Sequence, residues 1–256
     1  MSVNLSSGPR PSLTGVRELT AAGRLAAWGT AALTGAVSPD EAADEVSGPH
    51  DPAHRVTGLP GEAAAVNLPY ALARLRALGV TGLRLVLPRP GDTAGLPGPP
   101  SFNELAVLAG DAAITVGGTA LGLLPGVRGS WSVHAVSLDV RTPQSLAEAG
   151  RALGAAMREA TELLVRLDLS RWEPAAADVL AARSRAERPA LPMSVPVPAH
   201  SVLHQALRVA AIVAVATTGD GAAVTAAEMS ARSTALRGLD TASRRAIEAA
   251  CSPAPS

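Results

Sequence analysis

Four of the five histidines stand in two pairs with three residues between them, His50/His54 and His200/His204. On a helix this spacing places both imidazole rings on one face, where they could bind zinc or a similar metal. Pro52 interrupts the first pair, and a helix that begins there would leave His50 outside it. His200 and His204 are therefore the candidate metal ligands, with capping or surface roles as the alternative. The pair lacks the H-E-x-x-H core of metalloproteases.

A proline- and glycine-rich segment, residues 88–101, lies between a predicted strand and a predicted helix. Segments in this position often carry ligand-binding residues. Arg89 and Asp92 are its polar candidates, and backbone N–H groups near Asn103 could meet an anion at the helix start. His134, on a later predicted strand, could complete a pocket with them if the fold brings them together. The alternative is a rigid connector, because prolines donate no N–H to a phosphate.

The chain contains no lysine: all 22 of its basic residues are arginine. P-loop nucleotide-binding proteins, protein kinases, S-x-x-K acyltransferases and Schiff-base enzymes all need a lysine, so these classes are excluded. Arginine does not substitute for an amine nucleophile because its pKa lies above ~12. Residues 117–122 do not form a G-x-G-x-x-G dinucleotide motif, and residues 129–133 do not form a G-x-S-x-G elbow. We therefore expect no cofactor and find no complete catalytic constellation in the sequence.

Charge and aromatic content argue against a broad nucleic-acid surface. The formal net charge is zero and aromatic residues make up 2% of the chain, whereas single-strand binding relies on base stacking. Residues 224–232 are faintly similar to the first helix of a helix-turn-helix motif. The nearby positive charge comes from Arg232, Arg237, Arg244 and Arg245. Acidic neighbours offset much of that charge, so a DNA-binding regulator is a third alternative.

The lone cysteine, Cys251, excludes an intrachain disulfide and fits the cytoplasm. The first eleven residues contain no apolar signal core, and the longest apolar run, residues 209–216, is shorter than the ~20 residues of a membrane helix. We therefore expect a cytoplasmic protein that does not bind a membrane.

Hydrophobic periodicity and capping residues predict the elements that position these side chains. Ser38 and Asn67 are predicted helix caps, and Ser101 is predicted to open a capping box. Predicted helices cover residues 13–35, 38–48, 67–79 and 101–110, and predicted strands cover 54–59, 80–87, 113–116 and 130–140.

After residue 142 the chain is predicted to be helical. The predicted helices cover residues 144–168, 170–185, 200–217 and 222–250, with a break considered at Gly238. We divide the chain into a disordered tail (1–11), a mixed α/β part (12–142), an α-helical part (143–250) with a proline-rich linker (187–199), and a second tail (251–256). The predicted fold class is α+β: a small mixed sheet flanked by helices, followed by a C-terminal helical bundle.

Four phrases, residues 38–43, 79–84, 95–103 and 167–172, are similar to phrases in an actinobacterial protein family of unknown function. The resemblance spans most of the chain and implies no activity and no catalytic residues. Our leading hypothesis is a non-enzymatic interaction or accessory protein that has a protein partner or self-associates. The first alternative is a small-molecule-binding protein or enzyme whose pocket lies between the sheet and the helical part.

Overall fold

The computed structural model describes residues 19–47, 54–137, 144–166, 191–218 and 226–252. The predicted tail over residues 1–11 and the predicted helix over 170–185 lie outside these ranges. His50 and the first residues of the predicted linker lie outside them as well.

Six strands form one mixed sheet. They are β1 (Arg55–Thr57), β2 (Val66–Asn67), β3 (Gly82–Val86), β4 (Ala112–Val116), β5 (Leu121–Pro125) and β6 (Ser130–Ala135), in the spatial order β2-β1-β6-β5-β4-β3. Strands β3 to β6 form an antiparallel meander, since each pairs with the next strand along the chain. Strand β1 pairs in parallel with β6 and antiparallel with β2. Strand β3 is therefore an edge of the sheet.

Three helices precede or interrupt the strands on one side of the sheet: α1 (Ala21–Thr34), α2 (Pro39–Ser47) and α3 (Leu68–Ala77). Their starts are capped by side chains that accept backbone N–H groups otherwise left without a partner. Ser38 Oγ accepts from the Glu41 N–H at 3.1 Å, and Asn67 Oδ1 accepts from the Tyr70 N–H at 2.9 Å. Both predicted caps are confirmed.

Alternation along the strands divides the sheet into two faces. Leu83, Leu123 and Trp131 point to the core shared with α1 and α3. Ile114 and Leu124 point the other way and pack in a second cluster with Phe102 of α4 (Pro100–Ala109). Helices therefore flank both faces of the sheet.

Helix α1 lies unusually close to strand β3. A Cβ built on Gly29 would come within 2.7 Å of a Leu83 methyl carbon, so a larger residue here would require the Leu83 side chain to shift. The next residue, Thr30, accepts from the Leu83 N–H through its Oγ1 at 2.8 Å and donates to the Leu83 carbonyl at 3.1 Å. The small residues of α1 thus let the helix come close enough for Thr30 to hydrogen-bond the backbone N–H and carbonyl of Leu83 at the edge of the sheet.

The C-terminal part consists of α5 (Leu146–Arg166), α6 (Val197–Thr218) and α7 (Ala226–Cys251). Helix α7 packs along both α5 and α6 and also contacts β3. Buried residues of these helices, such as Leu153, Leu203 and Ile247, belong to the same continuous core as Leu83 and Trp131. The α+β fold with its C-terminal helices is confirmed.

Several boundaries differ from the prediction. Helix α4 begins at Pro100 after Pro99, with no side-chain capping bond, so the capping box at Ser101 is wrong. Strand β5 was not predicted, because Leu121–Pro125 contains a glycine and a proline and its alternation is masked by burial on both faces. Helix α7 passes Gly238 unbroken and ends at the buried Cys251, which shortens the predicted C-terminal tail. Residues 197–199 of the predicted linker belong to α6.

Among the described residues, α6 is the one helix long and apolar enough to cross a membrane. Its stretch Val197–Thr217 has a mean hydropathy of 1.4, and 39% of the apolar window is buried in the protein. Length and composition alone do not distinguish a membrane span from a core helix. The absence of membrane binding stays a prediction.

Candidate functional site

A cleft of about 910 Å³ lies between the sheet and the helical part. One wall is formed by the residues that follow β3 and by the turn between α4 and β4, and the opposite walls are faces of α6 and α7. Small-molecule sites in proteins typically enclose about 300–1,000 Å³. We therefore take this cleft as the candidate functional site.

The helical walls of the cleft are largely apolar. On α6, Leu207, Ala210 and Val213 recur every three residues and so lie along one side of the helix. On α7, Leu236 and Ile247 border the same space. These walls can hold an apolar group of a ligand.

Charged residues also border the cleft: Arg89, Arg232, Arg237, Arg244, Asp111 and Asp240. Arg244 forms an ion pair with Asp240, with 2.9 Å between Nε and Oδ2. Arg232 donates to the carbonyl of Ala216 at 2.9 Å, and Arg237 donates to the carbonyl of Ser233 at 3.3 Å. In the described part of the chain, neither Arg232 nor Arg237 forms an ion pair with a carboxylate.

Asp111 is a buried carboxyl in the sheet-side wall, with 7% of its surface exposed. Its Oδ2 accepts from the N–H of Ala22, in the first turn of α1, at 3.2 Å. Burial raises the pKa of Asp111 above its ordinary value, although the hydrogen bonds from Thr20 and Ala22 and the charges of Arg89 and Arg24 oppose the rise. A carboxylate at a helix N-terminus is favourable in itself, so capping of α1 accounts for its position.

Beside the cleft, five charged residues join α7 to the loop after β3; we call this set the α7 latch: Asp92, Asp240, Arg244, Arg245 and Glu248. Asp92 receives Arg244 on one carboxylate oxygen at 2.8 Å and Arg245 on the other at 2.6 Å. Burial alone would raise the pKa of Asp92, but the Arg244 hydrogen bond and the two arginine charges outweigh it and hold that pKa below its ordinary value. Burial raises the pKa of Glu248, against the opposing charge of Arg245.

The end of α7 also covers the free edge of β3. Glu248 Oε1 accepts from the Leu87 N–H at 2.6 Å, and Ser252 Oγ accepts from the Leu85 N–H at 2.8 Å. Arg244 donates to the Leu87 carbonyl at 2.8 Å. Covering these groups prevents the edge strand from pairing with another sheet. The same bonds hold α7, which is a wall of the cleft, against the sheet.

Two family models match the chain. The model for the Rv1486c-like protein, N-terminal domain, matches residues 22–148, and that for the C-terminal domain matches residues 147–248. The chain belongs to the Rv1486c-like family. No curated protein and no solved structure matches it significantly. The resemblance to a family of unknown function is thereby confirmed, and the two matches meet close to the predicted boundary at residue 142.

In this Rv1486c-like chain, the predicted ligand-binding residues of the 88–103 region have separate roles. Arg89 borders the cleft, and its role in ligand binding stays a prediction. Asp92 instead belongs to the α7 latch. Asn103 Oδ1 accepts from the Gly98 N–H at 3.0 Å and so fixes the turn that leads into α4.

The fourth predicted ligand residue, His134, lies on the face of the sheet that α4 covers. Its ring lies 6.0 Å from that of Phe102, measured between centroids, and its Nε2 is 2.9 Å from Ser132 Oγ. The fold therefore does not bring His134 into one pocket with Arg89 and Asp92.

The histidines of the two pairs lie in different surroundings. His200 and His204 are half-buried and lie one turn apart on α6, as a shared metal would require. Within the described ranges, no group of three or more His, Cys, Asp or Glu side chains could hold a metal ion. His54 is buried, and its Nδ1 accepts from the indole N–H of Trp131 at 3.1 Å. Metal binding by His200 and His204 stays a prediction.

Sequence reasoning did not single out Asp111, and it assigned Arg232 and Arg237 to a DNA-binding face. Helix α7 is continuous over Ala226–Cys251, so no turn separates the segment at 224–232 from a recognition helix. The sequence did indicate that these residues share one face of a helix. The face consists of residues 229, 233, 236, 240, 244 and 247, which recur at helical spacing and all border the cleft. Without the fold, nothing indicates that this face meets a cavity.

Proposed function

We propose that the protein binds a small molecule in the cleft between the sheet and the helical part. The observation that carries the proposal is a space of about 910 Å³ with apolar helical walls and a few charged groups. Ligand sites combine these features, because apolar walls supply affinity and a few polar groups fix orientation.

Binding is favoured over catalysis by the state of the polar groups in the cleft. Asp111, the buried carboxyl, is engaged by the first turn of α1. Arg244 is engaged by Asp92, Asp240 and the Leu87 carbonyl. These contacts give both groups a structural role, and that role supports binding as the proposal rather than catalysis.

A cytoplasmic interaction or accessory role is the second candidate. It is favoured by Leu105 and Leu108, which lie one turn apart on the outer side of α4 and are 43% and 83% exposed. Exposed apolar neighbours of this kind can contact a protein partner or a second copy of the chain.

The proposal is tested with N-phenyl-1-naphthylamine, a neutral apolar dye that fluoresces when it leaves water. We expect saturable binding to the purified protein. Ala214→Phe, which fills the cleft from α6, should weaken binding about tenfold or more, because a bound aromatic group and the new ring compete for one space. Ser233→Trp should do the same from α7.

Ala73→Phe is the matched control, since Ala73 is an exposed residue of α3 and does not border the cleft. Circular dichroism of each variant checks that it folds. Absence of saturable binding, or equal binding by wild type and both cleft variants, would contradict a ligand in this cleft. The accessory role would then take its place.

A further inference from the structure

We infer that the ligand is an amphiphile: an apolar chain or ring system that ends in one oxyanion group held by Arg232 and Arg237. This inference rests on the proposed function and adds the chemical class of the ligand.

The described residues around the cleft carry more positive than negative charge. Among the described residues that border it, four arginines face two aspartates. Arg244 is neutralised by Asp240 and by Asp92 of the α7 latch. Arg89 acts electrostatically on the buried Asp111. In the described part of the chain Arg89 forms no ion pair either, so the cleft arginines without a carboxylate partner are Arg89, Arg232 and Arg237. Arg232 and Arg237 lie five residues apart on α7 and can act on one group.

The positive charge of Arg232 lies near the end of α6. Arg232 donates to the carbonyl of Ala216, so it lies beside the last turn of α6. Leu207 lies nine residues earlier on α6, which is about 13 Å along the helix. Ile247 lies fifteen residues after Arg232 on α7, or about 22 Å. Arg232 and Arg237 thus lie toward the end of the cleft where α6 ends, and the apolar walls continue from Val213 and Leu236 beside them to Leu207 and Ile247 at the other end.

The guanidinium group of arginine is suited to binding an oxyanion. Its planar fork of N–H donors matches the oxygens of a carboxylate, sulfate or phosphate. The bond of Arg232 to the Ala216 carbonyl uses one of the five donors of its guanidinium group. The bonds of Arg237 go to Ser233 and Thr234, its own neighbours on α7. Both groups retain donors for an acidic head group whose apolar part lies along Leu207 and the other α6 residues.

A structural role for Arg232 is the competing explanation, because a cation at the last turn of α6 also stabilises that helix end. The two explanations differ in what Arg232→Gln and Arg237→Gln do to ligand preference. A capping role predicts a change in stability with no change in preference between charged and neutral ligands.

The experiment compares dodecanoate, below its critical micelle concentration, with dodecan-1-ol, below its solubility limit, as displacers of the neutral dye. For the wild type we expect dodecanoate to bind about tenfold or more tightly than dodecanol, with a preference that weakens as salt is added. The double variant R232Q/R237Q should bind the two compounds equally, because dodecanoate loses its advantage over the alcohol. Arg208→Gln, an exposed arginine of α6 that does not border the cleft, should behave as wild type.

Each other outcome has one meaning. If the dye binds and dodecanol binds as well as dodecanoate, the oxyanion class is overturned while the cleft remains a binding site. If the preference persists in R237Q and in R232Q/R237Q, the anion is held elsewhere and the assignment to these arginines is overturned. If neither compound nor the dye binds, the proposed function itself fails.

Discussion

Arginine supplies all the basic side chains of this protein, and α7 uses it in two ways. Arg244 spreads its donors over the carboxylates of Asp92 and Asp240 and the carbonyl of Leu87, and only 5% of its side chain is exposed. A lysine ammonium lacks the planar fork that reaches several fixed acceptors at once. Arg232 and Arg237, on the same helix, keep donors for the cleft. The partners of each guanidinium, and not its residue type, distinguish a structural arginine from one that is available to the proposed ligand.

Cys251 gives a residue-scale prediction about reactivity. The thiol is fully buried at the end of α7, and burial, with a smaller effect of the Glu248 charge, raises its pKa to about 12. Near a pH of about 8 the native protein should hold on the order of a thousandfold fewer thiolates than the unfolded chain, in which the pKa is about 8.5. Reaction with Ellman's reagent should therefore be very slow until guanidinium chloride unfolds the protein.

Cys251→Ser should give no signal in either state. Fast labelling of the native wild type would show that the end of α7 opens readily, against the packing described for it.

At the scale of elements, α7 serves as a wall of the cleft and as the cover of an edge strand. The outward N–H groups of Leu83, Leu85 and Leu87 on and after β3 each have a side-chain acceptor, and two of the three acceptors lie at the end of α7. Covering an edge strand in this way removes a template for association with other sheets. The turn between β4 and β5 differs, because there Gly118 lies directly against the backbone of Gly79 and leaves no room for a side chain.

Two glycines should respond oppositely to alanine. At Gly118, φ is +55° and a Cβ would lie 2.3 Å from the carbonyl carbon of Gly79, so Gly118→Ala should cost about 2–4 kcal/mol of unfolding free energy. At Gly238, an exposed position inside α7, nothing lies within 4 Å, so Gly238→Ala should gain about 0.5–1 kcal/mol through helix propensity.

Urea unfolding of the two variants beside wild type measures both changes. A destabilised Gly238→Ala would indicate that α7 is not continuous at that residue.

At the scale of the whole molecule, the two matched domains form one folded unit. A single continuous hydrophobic core runs from α1 and the sheet into α5, α6 and α7. The α7 latch adds charged contacts across the same junction, and the cleft lies beside it. We therefore expect the stability of the junction to depend on the ionisation of Asp92.

Asp92→Asn should lower the free energy of unfolding by about 1–3 kcal/mol near neutral pH, because it weakens hydrogen bonds from two arginines to a charged acceptor. The folded-state pKa of Asp92 is below its unfolded value. Its contribution is therefore present above the unfolded pKa and is lost as the pH falls through the folded pKa. The difference between wild type and D92N should shrink on acidification.

Unfolding by denaturant over a series of pH values measures that difference directly. Because Glu248 is present in both proteins, its own titration contributes to both stabilities. Asp44→Asn, at an exposed position of α2, is the control and should change little. A D92N difference that is constant down to low pH would contradict the ionic origin of the latch.

Local chemistry made many elements of this fold predictable from the sequence. Ser38 and Asn67 cap their helices because their side-chain oxygens reach N–H groups three residues ahead. Gly110 ends α4 because φ near +82° suits glycine. These choices are made within a few residues, so the α+β class and most helix positions follow from the order of the residues. The lysine-free composition likewise excluded whole classes of reaction.

The tertiary structure alone decided the partners over long separations. Asp92 meets Arg244 across 152 residues, and this contact turned a predicted ligand residue into part of the latch. His134 went to the α4 face of the sheet, while Arg232 and Arg237 came to border the cleft. Periodicity tells which residues share a helix face but not what that face packs against. Those pairings depend on how the whole chain buries its apolar surface.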